Sequence, residues 1–181
     1  MANKYCRTHR HLRRLDRVWL DPPIFFVTAC TRKRKAMLAS EQVAEILIDE
    51  WQSAQQRHGC HVGRYVIMPD HVHLFCTPNR NSTSLSGFVG AWKRWSSRRI
   101  SKMPRTASTA TGTIWQREFF GHLPRSEESY DQKWNYVRDN PVRAGLARSA
   151  ADWPFAGEID DLRLQPRTLS AVNRYELNPW R

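Results

Sequence analysis

The 181-residue chain predicts a single α+β domain of the ferredoxin-like, split β–α–β kind, an antiparallel sheet with helices on one face, carrying a basic N-terminal arm and a C-terminal tail. Three observations predict it. Short β-branched and aromatic runs alternate with amphipathic stretches in the order strand–helix–strand–strand–helix–strand. Two segments carry apolar residues at helical spacing over several turns. The length is ordinary for one domain with a sizeable core. Residues 1–22 are then the arm, 23–150 the folded domain and 151–181 the tail.

Asp21-Pro22-Pro23 closes the arm and forces an extended entry into Ile24–Cys30, a run that reads as a buried strand. Ser40 with Glu41 after it is a helix start, and Val43, Ile46, Leu47, Glu50, Trp51 and Ala54 form a stripe that ends before Gly59. Cys60–Met68 is a second strand, Pro69-Asp70 a bend, and His71–Thr77 a third strand. Turn chemistry over Pro78–Thr83 leads into a helix over about 84–102, in which Leu85, Phe88, Trp92 and Trp95 read as core. Pro104–Thr113 is a flexible connector, and Ile114–Phe120 a fourth strand. Ser126 caps a third helix with Glu127 and Glu128 in its first turn, and Pro141 ends it near Asn140. Asp152-Trp153-Pro154-Phe155 and the residues after it show no regular pattern.

Charge narrows the partner. With 29 Lys and Arg against 17 Asp and Glu, the net charge is +12, which favours a polyanion, most simply nucleic acid. Between His71 and Arg117 there is no acidic residue, while Arg80, Lys93, Arg94, Arg98, Arg99, Lys102, Arg105 and Arg117 fall within it. Lys93, Arg94, Arg98 and Arg99 of the second long helix are expected to meet phosphates. Cys6, Cys30, Cys60 and Cys76 are scattered without a C-x-x-C pair, which excludes a zinc-ribbon motif and fits a reducing cytosol. No stretch has the length and apolarity of a signal peptide or a transmembrane helix, so a soluble cytoplasmic protein is expected.

The sharpest motif is His71-Val72-His73, set in the apolar run 65–75. Strand side chains alternate between faces, so both imidazoles point the same way and form half of a divalent-metal site. On a helix over 126–140, Tyr130, Trp134 and Val137 share one stripe, whereas Tyr136 and Asn140 lie together on another, beside Ser129 and Lys133. Tyr130 reads as core and Tyr136 as presented. A phenol beside a carboxamide offers a nucleophile and an oxygen ligand for a metal held by the histidines. Each feature also has a plain structural use: a polar strand face, an amphipathic packing residue, a helix end.

The chain resembles the single-tyrosine His-hydrophobe-His transposases, and most of all the REP-associated tyrosine transposases of bacteria. The resemblance rests on residues 65–73, on Trp115-Gln116-Arg117 with Phe119-Phe120-Gly121-His122 and Arg125, on residues 136–146, and on Asp152-Trp153-Pro154-Phe155. It implies His71, His73 and Asn140 as ligands of Mg²⁺ or Mn²⁺, and Tyr136 as the nucleophile that leaves a 5′-phosphotyrosine link and a 3′-hydroxyl. It implies REP-type hairpin or single-stranded DNA as substrate, for which the basic residues Arg80, Lys93, Arg94, Arg98, Arg99, Lys102, Arg117 and Arg125 are the expected DNA contacts. It also implies a nucleoid-associated bacterial protein and a tail that gates the site, and it favours a monomer while leaving a dimer open. The rival reading is a noncatalytic hairpin or single-strand binder on the same scaffold, which would place exposed aromatics on the sheet. A cupin-type metal enzyme would want a nearby downstream Glu and more strands, and no acid appears before Glu118.

Overall fold

The structure is a computed structural model, and it describes residues 23–79, 84–103, 113–124 and 126–162. The arm, the connector over 104–112, Arg80, Arg125 and the tail beyond 162 lie outside the described residues.

Five antiparallel strands form one sheet in the order β4-β1-β3-β2-β5, where β1 is Phe25–Cys30, β2 Cys60–Met68, β3 His71–Pro78, β4 Phe120–His122 and β5 Ala156–Glu158. The two-residue turn Pro69-Asp70 joins β2 to β3 and sets Met68 opposite His71. The helices are α1 (Glu41–Gln52), α2 (Ala54–His58), α3 (Leu85–Ser101), α4 (Glu127–Arg138) and the single turn α5 (Asn140–Arg143). The sequence reads α1 and α2 as one helix; the structure interrupts it at Ser53 and closes α2 on Gly59, whose φ of 59° suits a residue without Cβ. Ser84 caps α3 through Gly87, and Ser126 and Ser129 cap α4 reciprocally. Ser40 holds the start of α1 but makes no side-chain cap.

Strand alternation splits the core in two. Val27, Ala29, Tyr65, Ile67, Val72, Leu74 and Cys76 face α1 and α3, meeting Leu47, Trp51, Phe88 and Trp92. Phe26, Val66, Met68 and Phe75 face the other way, against Tyr130 and Val137 of α4. The two long helices thus share one face, and the third helix covers the other, the face that bears the histidines.

Three expectations change. Trp95 is 41% exposed, with the Arg98 guanidinium 5.1 Å from its ring, because the inward face of α3 is made by Phe88, Val89, Trp92, Lys93, Ser96 and Ile100. The strand expected over 114–120 is reduced to a bridge between Thr31 and Trp115, and ladder pairing resumes at Phe120. Between them the Lys93 ammonium donates to the carbonyls of Gln116 (2.9 Å) and Glu118 (3.0 Å), which draws those groups out of the sheet. Finally, the stretch after Asp152 is not patternless: Trp153 Nε1 donates to the Ile67 carbonyl at 3.0 Å, and β5 pairs with β2. A Cβ on Gly157 would stand 2.7 Å from the Tyr65 hydroxyl, so only glycine permits this approach.

Candidate functional site: a histidine pair under a tyrosine helix

His71 and His73 leave β3 on the α4 side of the sheet, 7% and 9% exposed. Their Nε2 atoms face each other at 3.1 Å and their rings cross at 85°. The other nitrogen of each ring is occupied. His71 Nδ1 donates to Asp70 Oδ1 at 2.6 Å; a carboxylate only accepts, so the proton sits on Nδ1 and the Nε2 lone pair is free to ligate. His73 Nδ1 meets the Thr28 hydroxyl at 2.8 Å, a contact that the β1–β3 register sets by placing Thr28 directly opposite His73. Burial, then His71 and the cations Lys133, Arg34 and Arg143, hold His73 well below the usual imidazole range, in its neutral form at pH 7.

Arg34 stands behind the pair. Its Nε donates to Asp70 Oδ2 at 2.7 Å and its Nη1 to Cys30 Sγ at 2.8 Å. Lys33 and Arg34 both adopt left-handed backbone, φ 55° and 56°, which costs roughly 1–2 kcal/mol per residue outside glycine. Thr31, whose hydroxyl donates to the Lys35 and Asp70 carbonyls, helps hold that turn. Burial alone would raise the Asp70 carboxyl, but the His71 hydrogen bond and the His71 and Arg34 charges outweigh it and hold it below the ordinary carboxylate range.

From α4, Tyr130 and Val137 enter the core at 4% and 2% exposure, while Tyr136 is 39% exposed. Two cations approach the Tyr136 ring, with Arg143 Cζ 4.1 Å and Lys133 Nζ 5.8 Å from its centroid. Lys133 Nζ also lies 5.2 Å over the Phe26 ring, which in turn stacks on His73 at 5.4 Å. That chain of contacts ties the tyrosine face of α4 to the histidine strand. Asn140 opens α5, and its carboxamide oxygen accepts from Arg143, which also donates to the Tyr136 carbonyl. The structure thus joins Asn140 to Tyr136 through Arg143, and no described contact joins it to the histidines.

The donor set fits a divalent cation held by neutral ligands. Nitrogens 3.1 Å apart suit two adjacent positions around one ion bonded at about 2.1 Å. Among the described residues no group of three His, Cys, Asp or Glu side chains forms a metal cluster, so further ligands would be amide, water or phosphate oxygens.

The expected DNA contacts separate by position. Lys93 is 7% exposed and spent on backbone carbonyls; burial pulls its ammonium down to about 8, against smaller opposing effects of Cys30 and Glu118. It is an interior fastener rather than a surface cation. Arg99 pairs with Asp49 (2.7 Å) and the buried Glu50 (3.1 Å), locking α3 to α1. Arg94, Arg98, Lys102 and Arg117 are exposed, the first three on the helix remote from the histidine face. Sequence reasoning gave no role to Arg34, Thr28, Lys133 or Arg143. Arg143 stands in a quoted motif and Lys133 beside Tyr136, but Thr28 and Arg34 become visible only once strand register and turn geometry are known.

A protein-family model described as "Transposase IS200 like" matches residues 24–140. The REP-associated tyrosine transposase of Escherichia coli (strain K12) is 26% identical over 140 residues, 77% of this chain and 79% of that protein. Among solved structures, that of a REP-associated tyrosine transposase bound to a REP hairpin is similar at a TM-score of 0.63 and 20% identity, covering 87% of this chain and 99% of that one.

Proposed function

This chain belongs to the IS200-like transposase family, and from that premise we propose that it cleaves and rejoins one strand of hairpin-forming DNA through Tyr136. The observation that carries the reading is the pair of Nε2 atoms 3.1 Å apart beneath a helix that presents a tyrosine with two cations over its ring. His71 and His73 would hold Mg²⁺ or Mn²⁺, with Asn140 as a third ligand after its oxygen leaves Arg143. When bound, the ion supplies positive charge that polarises the scissile phosphate.

The remaining chemistry falls to the chain itself. The Tyr136 hydroxyl oxygen attacks phosphorus and loses its proton to solvent. A bond from the tyrosine oxygen to phosphorus forms, the bond from phosphorus to the 3′ oxygen breaks, and that oxygen takes a proton from solvent and leaves as a 3′-hydroxyl. The phosphotyrosine keeps a phosphodiester's worth of bond energy, so a later 3′-hydroxyl can reverse the step without a nucleotide cofactor. Lys133 and Arg143 flank the phenol and meet the incoming phosphate charge. Asp70 and Thr28 orient the two imidazoles.

The solved relative is bound to a REP hairpin, and the basic balance of this chain suits the same class of DNA. Exposed Arg94, Arg98 and Lys102 lie on the far face of the sheet from the histidines, so their part would be electrostatic attraction rather than positioning of the reacting phosphate. The acting unit would be a single chain, a reading supported by the packing of α4 on its own sheet through Tyr130 and Val137. No helix among the described residues is long and apolar enough to cross a membrane.

The test is a denaturing gel with Mn²⁺ and hairpin oligonucleotides taken from repeats flanking the gene, labelled on the 3′ side of the cut. A protein-linked band in wild type, absent in Tyr136→Phe and His71→Ala, is expected. Salt-sensitive binding with no adduct in any of the three would leave a binding protein.

A further inference from the structure

The geometry points to a second element of the DNA site: Phe120 and His122 on β4 form a stacking subsite for an unpaired nucleobase next to the phosphate that Tyr136 attacks. The inference rests on the cleavage reading above.

Strand β4 pairs with β1 in a register that sets Phe120 opposite Thr28 and His122 opposite Phe26. Thr28 is also opposite His73. Directly opposed residues share a face, so Phe120, Thr28 and His73 make one row across three strands on the histidine side. Two strand spacings put Phe120 roughly 10 Å from His73, within reach of the nucleotides beside a phosphate at the histidine pair.

The side chains have the properties that a base requires. Phe120 is 39% exposed, and its ring is parallel to that of exposed His122 within 9°, with centroids 6.5 Å apart. The two rings therefore offer a planar ligand one common orientation. The preceding residue sharpens the contrast: Phe119 turns to the main core, where Lys93 Nζ lies 5.8 Å over its ring. Of two adjacent phenylalanines, one is packed and the other is set on the face of the site. Beside this aromatic surface Lys133 lies over Phe26, the residue paired with His122, and supplies a cation to the backbone of the same nucleotide. An aromatic platform next to a cation is the arrangement that binds single-stranded nucleic acid without regard to sequence. An unpaired base presents a free face to it, whereas a base paired inside the stem keeps both of its faces stacked.

Full-length protein without divalent metal would be titrated with hairpin oligonucleotides carrying 2-aminopurine at successive unpaired positions beside the hairpin foot. Wild type should quench one position strongly. Phe120→Ala should abolish that quenching and weaken binding roughly ten-fold, His122→Ala should reduce it, and Phe120→Trp should restore it. Thermal melts guard against misfolding, since an exposed phenylalanine contributes little to the core. Quenching that survives Phe120→Ala, or no quenched position in wild type, overturns the subsite. The adduct assay stands apart: a quenched position lost in Phe120→Ala without any covalent adduct would keep the subsite and discard cleavage.

Discussion

Asp70 shows how much one turn residue carries. It closes the β2–β3 hairpin, accepts the His71 Nδ1 proton and holds Arg34 by an ion pair. Replacing it with Asn keeps an acceptor for His71 but removes the charge that fixes the ring and anchors the guanidinium. Asp70→Asn should weaken Mn²⁺ binding about 10- to 100-fold, measured by calorimetry on protein of unchanged melting temperature. Thr28→Val tests the other ring in the same way and should give a loss of similar size. Thr28 also marks the limit of sequence reading. His71, His73 and Tyr136 stand out because their spacing alone decides which face they share. Thr28 has no such mark; it matters because it lies opposite a histidine 45 positions away.

At the scale of elements, the periodic segments were legible and the short ones were not. Strands β1 to β3 and helices α1, α3 and α4 carry their own pattern of apolar residues, and Tyr130 against Tyr136 was separable by helical phase. Strands β4 and β5 are three residues each, too short to show a period. Their positions depend on distant partners: Lys93 for the displaced start of β4, and Ile67 with Tyr65 for β5. Gly157→Val would drive a side chain into the Tyr65 ring and should detach β5, costing about 1–3 kcal/mol in denaturant melts. The opposite sign is expected on α3. Gly90 is exposed in mid-helix, and a Cβ there meets nothing within 4 Å. Gly90→Ala should therefore stabilise the protein by about 1 kcal/mol.

Across the whole molecule, charge acts on binding and on stability through different residues. Exposed Arg98 and Lys102 should govern salt dependence: replacing either with Ala should lower the slope of log affinity against log salt by about one, evenly across DNA sequences. Lys93 acts inside. Its folded value of about 8 lies below the ordinary 10.5, so the unfolded chain binds more protons between those limits and stability rises with pH there. Wild type should gain on Lys93→Met from pH 8 to 10.5, read as a growing difference in urea midpoints. Tyr130 works in the reverse direction: burial lifts its phenol to about 12, so it withdraws stability as the pH climbs above 10.

The register of β3 has an evolutionary consequence. Alternate residues of one strand spell two texts, Val72, Leu74 and Cys76 for the core and His71, His73 and Phe75 for the opposite face. A single inserted or deleted residue at the Pro69-Asp70 turn would exchange them, sending both imidazoles into the packed interior and the aliphatic chains out beneath the tyrosine. Frame-shifted drift is thus lethal to the fold before it can blunt the chemistry.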